Sequence, residues 1–177
     1  MEEIILVNER DEPVGVMEKM EAHRKGVLHR AFSIFIFNHK NEMLLQQRAV
    51  HKYHSGGLWT NACCSHPRPG EITEEAATRR LKEELDIETP LERIFDFTYK
   101  ASFDNGLTEH EFDHVFAGYY NGANINFNYH EVEDICFRSM DEIESALQTH
   151  PYKFTAWFLI AFPMIKKWQH TFAATVV

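Results

Sequence analysis

The segment Pro67-Arg68-Pro69-Gly70 separates a run that reads as strand from one that reads as helix, and this break constrains the fold most. Upstream, β-branched and aromatic residues alternate with turn residues. Ile4–Val7 and Val14–Glu18 read as strands around an Asn8–Pro13 turn, and Ala31–Phe37 and Met43–Gln47 form a hairpin across Asn38-His39-Lys40-Asn41. His51–Gly57 reads as a polar loop and Leu58–Ser65 as one further strand. Downstream, Thr73 is the expected N-cap of a helix reaching about Leu85, with Glu74 and Glu75 suited to its first turn. Strands resume at Ile94–Phe103 and Leu107–Tyr120, joined at Asp104-Asn105-Gly106, followed by Glu131–Arg138. Met140–Thr149 and Thr155–Gln169 read as closing helices. Strands around one inserted helix, with further helices to cover the sheet, indicate an α+β fold, an αβα sandwich on a mixed sheet.

A chain of 177 residues without repeats or linkers is expected to form a single domain over residues 1–177. Its formal net charge of −9 disfavours nucleic acid or an anionic membrane as partner. The start, MEEIILVNERDE, lacks the basic segment of a secretory signal, and no apolar run approaches the length of a spanning helix. Cys63, Cys64 and Cys136 make a poor disulfide framework, so a reduced, cytoplasmic protein is expected. A monomer or a homodimer is expected, with no exposed seam legible.

Three groups of residues carry chemistry. Cys64 lies two residues before His66; a buried cysteine is usually only a small hydrophobe, but an adjacent imidazole or metal makes it a candidate proton donor. The period of two turns Cys63 the other way, towards packing. Glu109 and Glu111 share one face of a strand that becomes apolar further on, where an acidic pair needs a cation or a proton. With His23 and His29, which flank a short polar loop, and His66, they form a plausible six-coordinate transition-metal site with room for a water or substrate atom. On the inserted helix, Ala77, Leu81 and Leu85 form the core stripe, leaving Glu84 on the neighbouring stripe to hold Mg²⁺ against phosphate. Lys19, Arg48, Lys52, Arg68, Arg79 and Arg80 are candidate phosphate contacts, each alone more simply read as surface charge. Tyr99 and Trp157 suit either an apolar pocket wall or the core.

The inserted helix resembles a Nudix box, Gly-x5-Glu-x7-Arg-Glu-U-x-Glu-Glu-x-Gly-U with U apolar, through Glu71, Arg79, Leu81, Glu83, Glu84 and Ile87. Ser65 and Asp86 stand where the pattern has glycine, and Arg80 replaces the glutamate that helps load metal in the hydrolases. With W-T-N-x-C-C-S-H-P, H-R-A-F-S and E-H-E, nearly the whole chain is similar to the type I isopentenyl-diphosphate isomerase family. The resemblance implies a Nudix-like core over about residues 30–163 and interconversion of isopentenyl and dimethylallyl diphosphates. It implies Cys64 and Glu111 as the acid/base pair, with Tyr99 beside them as an alternative proton donor. It also implies Mn²⁺ or Zn²⁺ on His23, His29, His66, Glu109 and Glu111, and Mg²⁺ on Glu84 with the diphosphate. Lys19, Arg48, Lys52, Arg68 and Arg80 would contact the diphosphate, with Trp157 at the substrate. A Nudix pyrophosphohydrolase is the competing reading, and a non-catalytic metal- or isoprenoid-binding module a distant third. Arg80 disfavours the hydrolase, and neither alternative needs a thiol beside a carboxylate.

Overall fold

The computed structural model describes residues 2–122 and 124–175. The most buried strand, β3 (His29–Phe37), is the axis of a mixed sheet. One edge pairs in parallel with β8 (Thr108–Tyr119), from His29↔Glu111 to Phe37↔Tyr119. The other edge is shared by β1 (Glu3–Val7) at its start, β6 (Cys63–Ser65) in its middle and β4 (Met43–Arg48) at its end. The sheet extends through β2 (Pro13–Glu18) beside β1, and through β5 (Trp59–Thr60) and β9 (Val132–Arg138) beside β4. On the far side, β7 (Glu92–Ser102) pairs antiparallel with β8.

Alternation along these strands builds two cores. On one face Phe32, Ile34, Ile36 and Phe116 pack against Ala76, Ala77, Leu81 and Leu85 of α2 (Thr73–Leu85). On the other, Phe35, Phe37, Val115 and Ala117 meet Ile143 of α3 (Met140–Thr149) and Trp157, Phe158, Phe162 and Ile165 of α4 (Ala156–Thr175). Each fully buried Leu, Ile or Phe contributes about 1.5–3 kcal/mol, so the two apolar layers hold the sheet between the helices. The architecture is α+β on a mixed sheet.

Three local expectations need correction. Leu58–Ser65 is not one strand: the chain changes partner, β5 lying on β4 and β6 on β3. Asn61 makes the step, its amide donating to Ile34 O and Cys63 O at 3.0 and 2.9 Å. Thr73 is the first helical residue rather than the cap; extended Ile72 precedes it without a side-chain cap bond. Glu71 instead tightens the entry, accepting from the Arg68 amide at 2.9 Å while clamping Arg79 through two oxygens. His23 lies in a helix, α1 (Lys19–Lys25), which Glu18 caps by accepting from the Met20 and Glu21 amides. Seven residues are too few for apolar periodicity to be visible. Gly26, at φ 61°, then reverses the chain; a Cβ there would meet Thr108 at 3.3 Å in a backbone region that disfavours side chains.

Candidate active site

A cavity of about 350 Å³ is lined both by side chains of the α4 face of the sheet and by Arg79, Arg80 and Glu84 of α2. Register places its chemistry. His29 pairs with Glu111, Ser33 with Cys64, and Tyr99 of β7 with Glu111, so side chains from β3, β6, β7 and β8 share one face. Cys63 turns the other way into the α2 core, as the period of two requires.

The three expected histidines converge. Donor atoms of His23, His29, His66 and Glu111, all in buried residues, lie within 4.8 Å of one another. His23 and His29 each direct Nδ1 at a backbone carbonyl, Lys19 O at 2.7 Å and Val27 O at 2.8 Å. Such bonds fix the tautomer and leave Nε2 as a lone pair. Both Nε2 atoms are buried without a hydrogen-bond partner. Burying a polar nitrogen this way costs about 1–3 kcal/mol unless something is bound there, so the residues present fit a metal ion. Glu111 Oε1 lies 3.0 Å from His66 Nε2 and 3.5 Å from His29 Nε2. Burial alone would raise the Glu111 carboxyl, but positive charge carried on the facing His29 and His66 holds it well below the usual range, so the carboxylate is ionised and takes up a cation, proton or metal, between itself and these nitrogens. Burial, reinforced by His66, lowers His23 to about 4, which keeps it a neutral ligand. Glu109 belongs to a second, overlapping group with His23 and His54. The Tyr99 hydroxyl lies 2.7 Å from Glu109 Oε2 and 2.6 Å from Glu111 Oε2. Burial, then Glu109, pushes its pKa well up, so it stays a proton donor.

Cys64 projects into the cavity from β6. Its Sγ donates to Asn61 Oδ1 at 3.1 Å and lies 3.4 Å from Ser33 Oγ, which in turn donates to Asp113 Oδ2 at 2.7 Å. Burial, then Asp113, raises the thiol well above its ordinary value, so it carries its proton at neutral pH. Strands β6 and β8 flank β3, Cys64 beside Ser33 and Glu111 beside His29, so the two groups reach the cavity from opposite sides of β3.

The mouth is charged. Lys19, Arg48, Lys52, Arg68, Arg79 and Arg80 all line the cavity, as do Glu84 and Trp157. Glu84 is buried, accepting from Arg80 at 2.6 Å and from Gln46 at 3.2 Å. Lys52 pairs with Glu131, Lys19 with Glu2, and Arg79 with Glu71. Burial, partly offset by Glu84, brings Lys52 down to about 8. The Arg48 guanidinium sits 5.3 Å over the Trp157 ring. Sequence reasoning passed over His54, Asn61, Ser33, Asp113 and Gln46. Asp113 was accessible, since it continues the alternation of Glu109 and Glu111. His54 sits in an irregular loop, where spacing carries no facial information.

The comparisons agree with this geometry. The model of the NUDIX domain matches residues 27–158. A crystal structure from Deinococcus radiodurans superposes with a TM-score of 0.70 at 21% identity, covering 84% of this chain and 90% of that one. The MutT protein of Methanosarcina mazei Go1 gives 0.65, also at 21% identity, over 79% and 94%. These likenesses define the fold as a Nudix fold. Among curated relatives, the isopentenyl-diphosphate Delta-isomerase of Pectobacterium atrosepticum is 49% identical over 96% of this chain and 94% of its own length. The isopentenyl-diphosphate Delta-isomerase 2 of Photorhabdus laumondii is 44% identical over 96% and 98%. The chain belongs to the isopentenyl-diphosphate Delta-isomerase family of Nudix proteins. No helix among the described residues is long and apolar enough to cross a membrane.

Proposed function

We infer that the protein interconverts isopentenyl and dimethylallyl diphosphates by moving one double bond. The observation that carries this reading is the pairing of Cys64 with Glu111 and Tyr99 on either side of β3, within one cavity whose mouth is lined by basic side chains. Shifting the bond adds a proton at the terminal alkene carbon and removes one from the carbon two bonds away, through a tertiary carbocation. One side of the pocket gives a proton and the other takes one, and the two roles exchange when the reaction runs backwards. Cys64 supplies a thiol on one side. Glu111, carrying the Tyr99 hydroxyl on Oε2, supplies the carboxylate and a second proton donor on the other.

The walls suit a cationic species. Trp157 and Tyr99 present aromatic surface, and burial keeps bulk water from trapping the carbocation. His23, His29, His66, Glu109 and Glu111 would hold Mn²⁺ or Zn²⁺. When bound, the ion supplies positive charge that fixes and polarises the carboxylates. Glu84 would hold Mg²⁺ with the diphosphate, which Arg48, Lys52 and Arg80, with Lys19 and Arg68, would bind. This anchor lies away from the reacting carbons, so its binding energy can position them. Arg80 occupies the metal-loading position of the hydrolases and is tied to Glu84, which argues against diphosphate cleavage.

Proton NMR of isopentenyl diphosphate in D₂O with Mg²⁺ tests the reading. Deuterium must enter substrate and product while the diphosphate bond stays intact. Release of inorganic phosphate or pyrophosphate at the rate of substrate loss would overturn it.

A further inference from the structure

His54 is buried at 5% exposure, and its ring is clamped by aromatics. It stacks on Phe103 at 4.7 Å and 9°, and meets Tyr53 and Trp157 edge-on. Its Nδ1 lies 3.2 Å from Ser55 Oγ, and its Nε2 has no hydrogen-bond partner. That Nε2 is nevertheless only 2.9 Å from Glu109 Oε1. A nitrogen and an oxygen this close, yet not aligned for a hydrogen bond, point past one another at a common third position. Neighbouring ligands on an octahedral ion at about 2.1 Å stand about 3 Å apart, which is the separation found here.

The two donor groups overlap at His23. Its Nδ1 is committed to Lys19 O, which leaves a single lone pair. An ion on that lone pair faces the remaining donors of both groups. Tyr99 draws the outer oxygens, Oε2, of both carboxylates together. Their inner oxygens face histidines, Glu111 Oε1 towards His29 and His66, and Glu109 Oε1 towards His54.

We propose that His54 is a further ligand of the same ion, so that four histidines and two glutamates fill a six-coordinate shell. The inference rests on the metal site of the proposed function and extends it. With every position taken by protein, no water or substrate atom reaches the ion. The ion then acts through the carboxylates it holds, not by activating a ligand of its own.

Mn²⁺ titration of metal-stripped protein, followed by solvent-proton relaxation, reads the shell directly. In the wild type, bound Mn²⁺ should lack the relaxation enhancement that an exchanging inner-sphere water produces. His54→Phe keeps a ring against Phe103 but removes the donor. It should open one position, raise the relaxation and weaken Mn²⁺ about 10- to 100-fold, with an unchanged far-UV spectrum. Strong enhancement in the wild type, or equal affinity and relaxation in both proteins, would overturn the proposal. The wild-type relaxation stands as evidence whether or not the variant folds. His66→Ala separates the two readings. If it loses Mn²⁺ while His54→Phe behaves as wild type, the metal site stands and His54 is not in it. If the wild type binds no Mn²⁺, both readings fail.

Discussion

At the scale of single residues, the two adjacent cysteines provide an internal control. Cys63 and Cys64 differ chemically only because a strand turns consecutive side chains to opposite faces. Cys64→Ser and Glu111→Gln are each expected to lower kcat by at least about 10²–10⁴-fold, the usual worth of a general acid or base. Cys63→Ser should leave kcat within a few-fold and show its cost in stability. Parallel rate measurements and urea melts check this, and equal kcat losses from both cysteines would remove the assignment. Lys52 gives a pH signature. Burial lowers its pKa to about 8, so it is charged below that pH and neutral above it. The neutral form binds a diphosphate less well, so kcat/KM should fall as pH rises through about 8. Lys52→Arg, which stays charged, should flatten that limb, and Lys52→Ala should raise KM about 10- to 100-fold, as expected for one charge-assisted contact. An unchanged alkaline limb in the arginine variant would show that another group is titrating.

At the scale of elements, α2 shows how the site is tied to the core. Leu81 and Leu85 hold the helix to the sheet, and the same turn delivers buried Glu84 to the cavity. Asp86, at φ 53°, ends the helix in a left-handed conformation where the Nudix pattern has glycine. Asp86→Gly removes that strain and a negative charge at a helix C-terminus, so it should stabilise the protein by up to about 1 kcal/mol without altering turnover. A lower urea midpoint would contradict this. The elements also show what a reader of the sequence can reach. The hairpin at Asp104-Asn105-Gly106, the α2 stripe and the Glu109/Glu111 face are periodic signals, and the structure has each of them. The step at Asn61, the seven-residue helix under His23 and the loop that carries His54 are not periodic. They depend on hydrogen bonds to strands remote in sequence, which local spacing cannot encode.

At the scale of the molecule, the proposed ligand set draws on α1, β3, the segment after β6, and β8. An ion there binds the folded chain and not the unfolded one, so it adds stability as RT ln(1 + [L]/Kd), about 4 kcal/mol at a thousand times Kd. Chelation should therefore lower Tm by several degrees, while His66→Ala should melt at one temperature with or without chelator. A chelator-sensitive His66→Ala would show that the ion sits elsewhere.

The parallel register of β3 on β8 also bears on how the chain is made. His29 and Glu111 are neighbours in the sheet but are about eighty residues apart along the chain. At synthesis rates of roughly 5–20 residues per second, β3 leaves the ribosome about 4–16 s before its long partner exists. During that interval, the apolar run Phe32–Phe37 can pair only with the short strands that flank its other edge. Catalytic competence and protection from aggregation should therefore arrive together, with the last residues of β8.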